Sequence, residues 1–270
     1  MGMNTKKLRS RIRSVDSTMH LTRAMGLVAA SKMRRATEGM MSGRAYAAAV
    51  ERTARLLARC PECRRSPYLR KPGNGKTCLV VIAGDRGLAG GYNANVFRLA
   101  AQFPDAEILP VGKRACDRFG GGERTAEGFS YADADDMARQ LCEGFVQCKW
   151  DRVGVIYTKY ESMLKQTAEV RWLLPLRAGK GASRSVVFEP NEEEMMQAVV
   201  PEYVSGMLIA SVRESFASEV AARRAAMDSA GKNAGEMIES LHLAYNRARQ
   251  GAITQEITEI VAGSGGIKRR

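Results

Sequence analysis

Leu21-Thr22-Arg23-Ala24-Met25-Gly26-Leu27-Val28-Ala29-Ala30-Ser31-Lys32-Met33-Arg34-Arg35-Ala36 decides the fold. Within it Thr22, Gly26, Ala29, Met33 and Ala36 recur at alternating steps of four and three, and none carries a charge. Extended both ways, the line runs Leu8, Ile12, Val15, Met19, then Met40, Gly43, Ala47, Val50, Ala54 and Leu57, still without a charge. Residues 1–59 hold 13 Lys and Arg against Asp16, Glu38 and Glu51, a net +10 of the chain's +13. A charge-free seam at period 3.5 in so basic a segment predicts one long helix with a coiled-coil partner. Its Ala, Gly and Met let a second helix approach closely and adapt to an irregular surface.

The predicted partner lies at the other end of the chain. No proline falls between Tyr203 and Ala262, and a less regular stripe runs Ile209, Val212, Phe216, Val220, Met227, Ala230, Ala234, Met237, Leu241, Ala244 and Ala248. It then steps to Ile253, Ile257 and Ile260. Acidic residues here, Glu214 and Glu219 among them, can pair with the basic first helix, each exposed pair contributing tenths of a kcal/mol. An antiparallel pairing of the two ends is the arrangement read, with a homodimeric coiled coil as the competing one.

The middle has a different pattern. Past the Pro- and Gly-rich break at 67–75, Thr77-Cys78-Leu79-Val80-Val81-Ile82-Ala83 reads as a buried strand. Further strands are predicted at 107–111, 152–157, 168–174 and 185–188, with helices at 93–102, 113–119 and 133–148. Such alternation predicts an α/β layer with a largely parallel sheet. The fold class is therefore α/β: a long antiparallel two-helix coiled coil of the N- and C-terminal helices with an inserted α/β, Rossmann-like, domain. The boundaries read are 1–66 for the first helix, 76–190 for the α/β domain, 200–262 for the last helix and 263–270 for a basic tail.

Composition excludes several classes. A 270-residue chain with 45% hydrophobic and 26% charged residues is not disordered as a whole. No apolar run approaches the roughly 20 residues of a membrane span. Met1-Gly2-Met3-Asn4-Thr5-Lys6 lacks the apolar core of a secretory signal, and Lys6 stands where myristoylation requires Ser or Thr. The six cysteines read as reduced thiols; the Cys60-x-x-Cys63 pair leaves a redox or metal role open.

Glycine-rich Gly84-Asp85-Arg86-Gly87-Leu88-Ala89-Gly90-Gly91 lies between a strand and a helix start, where phosphates are cradled. The Gly-Lys-[Ser/Thr] ending is absent and the dinucleotide spacing does not match. The loop reads as a tight turn with Asp85 or Asn93 capping. His20 and His242 both fall on the predicted rods, away from any nucleophile, and Glu192-Glu193-Glu194 after Pro190 reads as a helix start. No catalytic constellation, cofactor site or metal site is read.

The segment from Leu21 to Arg34, Ala225-Ala226-Met227-Asp228-Ser229-Ala230, the loop from Asp85 to Asn93, and Tyr245-Asn246-Arg247-Ala248-Arg249-Gln250-Gly251-Ala252-Ile253-Thr254-Gln255-Glu256-Ile257-Thr258-Glu259-Ile260-Val261 resemble the gamma subunit of the F-type ATP synthase. The likeness covers essentially the whole chain. It implies a non-catalytic central rotor shaft, threading a hexamer of alternating alpha and beta subunits and standing with epsilon on the c-ring. Proton-driven rotation of ring and shaft would cycle the catalytic beta subunits and so make ATP. By the resemblance, Met25, Lys32, Arg34, Arg35, Arg223, Arg249, Gln250, Thr254 and Glu256 couple to beta. Phe188 and Glu189 likewise contact the c-ring and epsilon, although Val186 replaces a tyrosine frequent in the family. Ala89 stands where a cysteine is common, and the cysteine insert of plastid forms is absent. The resemblance implies a peripheral place on the cytoplasmic face of a bacterial cell membrane. A basic coiled-coil nucleic-acid-binding or scaffold protein is the alternative that the +10 helix raises.

Overall fold

The computed structural model describes residues 2–73, 75–122, 124–178, 188–189 and 191–267, with side chains from 5 to 262. Helix α1 spans Gly2–Leu57 and helix α5 spans Glu192–Ile267. Between them come two 3-10 turns, Glu62–Arg65 and Pro67–Leu69, then β1 (Thr77–Ile82), α2 (Tyr92–Ala100), β2 (Glu107–Val111), α3 (Lys113–Phe119), α4 (Tyr131–Val146), β3 (Arg152–Tyr160) and β4 (Gln166–Leu174). Two compact units result, one of Met1–Val28 with Ala226–Arg270, the other Ala29–Ala225.

In the larger unit the sheet order is β2-β1-β3-β4. β1 pairs parallel with β2 and β3, and β3 pairs antiparallel with β4. A parallel sheet must be covered on both faces, and the alternation along β1 shows how. Leu79, Val81 and Ala83 pack with Val96, Ala100 and Ala115 of α2 and α3. Cys78, Val80 and Ile82 share a core with α4, with Met196 to Val212 of α5, and with Ala47, Ala54 and Leu57 of α1. Ser130 and Asp133 close a capping box that starts α4 two residues ahead of the predicted position. The predicted strand at 185–188 falls at 185–187 outside the described residues.

The seam on α1 holds at every position. From Thr22 to Leu57 its members are buried apart from half-buried Val50, and Leu8, Ile12, Val15 and Met19 are half-buried. Within the larger unit Ala29, Met33, Ala36 and Met40 pack with Ala217, Val220 and Ala221. At Gly43 an added Cβ would stand 3.3 Å from Ala210 Cα, so the residue's smallness sets how close the helices come. Arg44 meets Glu214 at 2.6 Å, a pairing of basic α1 with acidic α5 that the charge pattern predicts. In the smaller unit Gly26 lies against Met227 and Asp228, Thr22 against Gly231, and Arg9 hydrogen-bonds to Tyr245. As α1 rises, α5 falls, which is the antiparallel sense.

The α5 stripe differs from the predicted one in phase. Its inward positions continue from Met227 and Ala234 through Ile238, Leu241, Tyr245, Ala248 and Ala252, whereas Met237 and Ala244 face out. Ile253, Ile257 and Ile260 are also exposed, the last at 70%. The sequence reading favoured methionine and alanine by type, but the heptad step from Ala234 selects Ile238 and then Tyr245. α5 also continues through Pro201. By length and composition α5 contains a window apolar enough to cross a membrane, contrary to the sequence reading, and 67% of that window is buried inside the protein. A helix apolar all round belongs in a core, and here it lies between α1 and the sheet.

Candidate coupling surfaces

The 84–91 loop is a structural knot. Asp85 Oδ1 accepts from the backbone N–H groups of Lys113 (3.0 Å) and Ala126 (2.8 Å), and its Oδ2 from Glu127 (2.8 Å). The carboxylate thus satisfies an otherwise orphaned donor at the start of α3, not α2. Asn93 Oδ1 accepts from Gly84 N–H at 2.9 Å, tying the start of α2 back to the end of β1. With these groups engaged by protein, the turn reading holds for this loop.

α5 seals the same loop from the other side. Arg223 Nη2 donates to Glu219 Oε1 and to the carbonyls of Gly87 (3.2 Å) and Arg86 (3.3 Å). The side chains of Arg223 and Glu219 are only 14% and 4% exposed. Burial raises the Glu219 carboxyl pKa, and the Arg223 guanidinium acts against that rise. Gly84 is required here, since an added Cβ would stand 2.6 Å from the Glu219 carboxyl carbon. Arg223, a predicted beta-coupling residue, therefore points into its own chain and fixes the loop.

The other predicted residues fall on three surfaces. Met25 is half-buried beside the α1 seam. Lys32 pairs with Glu127 at 2.6 Å; Arg34 is 90% exposed with Glu38 at 3.9 Å; Arg35 is exposed and makes no ion pair among the described residues. Arg249, Gln250, Thr254 and Glu256 are all exposed on the last part of α5. Phe188 is half-buried against the larger core and Glu189 is exposed. Val186 and Pro190 lie outside the described residues. The fold thus brings Arg34 and Arg35 onto one α1 surface and groups Arg249, Gln250, Thr254 and Glu256 on α5, while Arg223 is an internal tie.

Sequence reasoning missed the Glu219–Arg223 and Glu202 clusters, and the reach of Glu214 beyond α1. Glu219 precedes Arg223 by four residues, a helical pairing signal that was there to be read. Glu214 also accepts from Tyr160 N–H at 3.1 Å, and hydrogen bonding to it raises the Arg44 pKa. Glu202 accepts from the hydroxyls of Tyr46 and Tyr131, joining α1, α4 and α5. Only the folded arrangement brings these last partners together.

A family model described as ATP synthase matches residues 4–266. The ATP synthase gamma chain of Ruminococcus albus is 40% identical over 280 residues, covering 97% of this chain and 98% of that protein. The sodium ion specific ATP synthase gamma chain of Acetobacterium woodii is 36% identical over 299 residues, covering 98% of this chain and 99% of the other. In fold, the chain is similar to one from the Euglena gracilis mitochondrial ATP synthase (OSCP/F1/c-ring), with a TM-score of 0.70 at 18% identity over 99% of this chain and 95% of that one.

Proposed function

The chain belongs to the ATP synthase gamma-chain family, and from that premise we propose that its paired helices are the central rotor shaft of an F-type ATP synthase. The chain is a non-catalytic component; the catalytic sites lie in the beta subunits. Its shaft couples proton-driven c-ring rotation to the conformational cycle of those sites. Alpha and beta, as a hexamer, epsilon and the c-ring are its partners, and it is peripheral to the membrane as part of the membrane-bound complex. The cytoplasmic face of a bacterial cell membrane is the location that fits the bacterial relatives.

One observation carries the reading: a seam of small residues, buried or half-buried from Leu8 to Leu57, pairs α1 antiparallel with α5 within each unit. Turning a two-state site from 1:99 to 99:1 needs about 5.5 kcal/mol of differential contact, and a hydrogen-bonded helix pair transmits that better than a loop. Exposed Arg34, Arg35, Arg249, Gln250, Thr254 and Glu256 are the groups we assign to intermittent contact with beta, joined by Met25 beside the seam. Lys32 exchanges its pairing with Glu127 to reach a partner carboxylate. Arg223 acts by holding the 84–91 loop. Phe188 and Glu189 are assigned to the c-ring and epsilon side. The domain limits 1–66, 76–190, 200–262 and 263–270 are the division of labour we assign.

Co-expression of this chain with alpha and beta subunits tests the proposal. The expected result is a stable complex whose ATPase activity depends on the chain; alpha and beta assembling with no retained gamma would overturn it. The nucleic-acid-binding alternative finds no support in the family to which the chain belongs.

A further inference from the structure

Cys60 and Cys63 are each 1% exposed. Cys60 follows the last turn of α1, with its N–H donating to Leu57 O at 3.0 Å and its Sγ to Leu56 O at 3.4 Å. Pro61 then turns the chain into the 3-10 segment Glu62–Arg65, where Arg64 N–H reaches Pro61 O at 3.3 Å and Ser66 N–H reaches Cys63 O at 2.9 Å. With Pro61 and Glu62 both in helical conformation between them, that turn brings Cys63 back toward Cys60, and both thiols belong to one buried cluster. Cys63 also lines a cavity of about 940 Å³, with Cys142, Tyr68 and Met196 among its other walls. Among the described residues no three Cys, His, Asp or Glu side chains converge to hold a metal ion.

We propose that Cys60 and Cys63 are a modification site: a reversible intramolecular disulfide, closed by a small disulfide oxidant that enters through this cavity. A four-residue turn brings its end Cα atoms within about 7 Å, close to the 4.4–6.8 Å that a disulfide spans. Thiols at the two ends of one turn need side-chain rotation, not a new backbone path. Cys63, on the cavity wall, loses its proton and attacks one sulfur of the oxidant. The oxidant's S–S bond breaks, and its first thiol leaves with that proton. Cys60, deprotonated in turn, attacks Cys63 Sγ, and the second thiol leaves carrying the Cys60 proton. Two cysteines are oxidised by two electrons and the oxidant is reduced to two thiols.

The surroundings set the rate. Burial above all pushes the Cys63 thiol up to about 11, and Cys60 and the carboxylates of Glu62 and Glu192 add to the rise. Burial and Glu62 raise Cys60 as well. Across the cavity Asp135, Arg139, Cys142 and Glu143 of α4 face the same space, with Arg65 on the near side. At neutral pH the thiolate is therefore scarce, and closure should speed up about tenfold per pH unit between 7 and 10. Once closed, the bond staples the last turn of α1 to the segment after it.

The test uses the full chain. Trypsin cuts after Arg59 and Arg64, which places both thiols on the single peptide Cys60-Pro61-Glu62-Cys63-Arg64. Incubation of the folded protein with oxidised glutathione, acid quenching, alkylation and digestion should yield this peptide two hydrogens lighter and unalkylated. The yield should grow about tenfold faster per pH unit, and the oxidised chain should melt roughly 3–8 °C higher. Cys60→Ser should stop at a glutathione adduct on Cys63. Both thiols still free after long incubation at pH 9, or a lasting glutathione adduct on Cys63 in the unaltered chain, would overturn the proposal. Neither outcome bears on the rotor assignment.

Discussion

Replacing Arg223 by methionine tests how α5 grips the 84–91 loop. The change removes the cation facing Glu219 and three hydrogen bonds to Arg86 and Gly87 carbonyls. With Glu219 only 4% exposed and Arg223 14% exposed, water screens the pair little. Breaking a buried pair by deleting one partner costs about 3–5 kcal/mol. Glu219 can take up a proton, so the lower end, about 3 kcal/mol, is expected for Arg223→Met at pH 7.5. The pH dependence fixes the cause. Burial already raises the Glu219 pKa, and losing Arg223 raises it further. The folded state then holds a proton at pH values where the unfolded state has released it, so stability falls as pH rises above the ordinary carboxylate range. The deficit should shrink as pH is lowered from 7.5 toward 5. Adding Glu219→Leu removes the stranded charge and should return the chain to within about 1 kcal/mol of the original. Urea unfolding followed by Trp150 and Trp172 fluorescence reads all three chains. A single variant that costs under 0.5 kcal/mol, or a cost that neither pH nor Glu219→Leu relieves, would refute the argument.

Three further outcomes are expected. Asp85→Ala frees three backbone N–H groups at the start of α3 and around 126–127, and should cost about 2–4 kcal/mol in the same urea assay. Ala234→Pro removes a helical hydrogen bond at a seam residue only 7% exposed, costing about 3 kcal/mol or more; circular dichroism should show lost helix, and normal assembly with alpha and beta would contradict the placement. Arg249→Ala with Gln250→Ala, both exposed, should leave melting unchanged but lower ATP turnover in the reconstituted complex severalfold.

The legible parts of the fold were those governed by one short period. The α1 seam could be read because thirteen cations made its charge-free line stand out, and β1 because a fully buried strand needs an unbroken apolar run. The α5 seam slipped by one residue at Met237 because that helix has charge near balance and apolar residues on several faces, so type alone did not mark the inward side. Continuity through Pro201 was illegible for a related reason. The packing of α5 between α1 and the sheet, invisible locally, outweighs the lost hydrogen bond. The candidate surfaces divide likewise. Exposure of Arg249 and Gln250 follows from heptad position, but the inward turn of Arg223 depends on the carbonyls of Arg86 and Gly87, residues more than a hundred positions away.

The charge pattern points outward from the same geometry. α1 spends few of its cations inside the chain: Lys32 on Glu127 and Arg44 on Glu214 reach other elements, while Arg34 and Arg55 pair with Glu38 and Glu51 of α1 itself. Lys6, Lys7, Arg11, Arg13, Arg23, Arg35 and Arg52 form no ion pair among the described residues. α5 could have supplied carboxylates for them, yet its most buried ones, Glu214 and Glu219, serve the α/β unit through Tyr160 and the 84–91 loop. Such a helix repels itself, and an anionic neighbour relieves that repulsion beyond what salt screening does. Exposed pairs contribute tenths of a kcal/mol each and exchange readily, which suits the intermittent contact with beta that we propose for this surface.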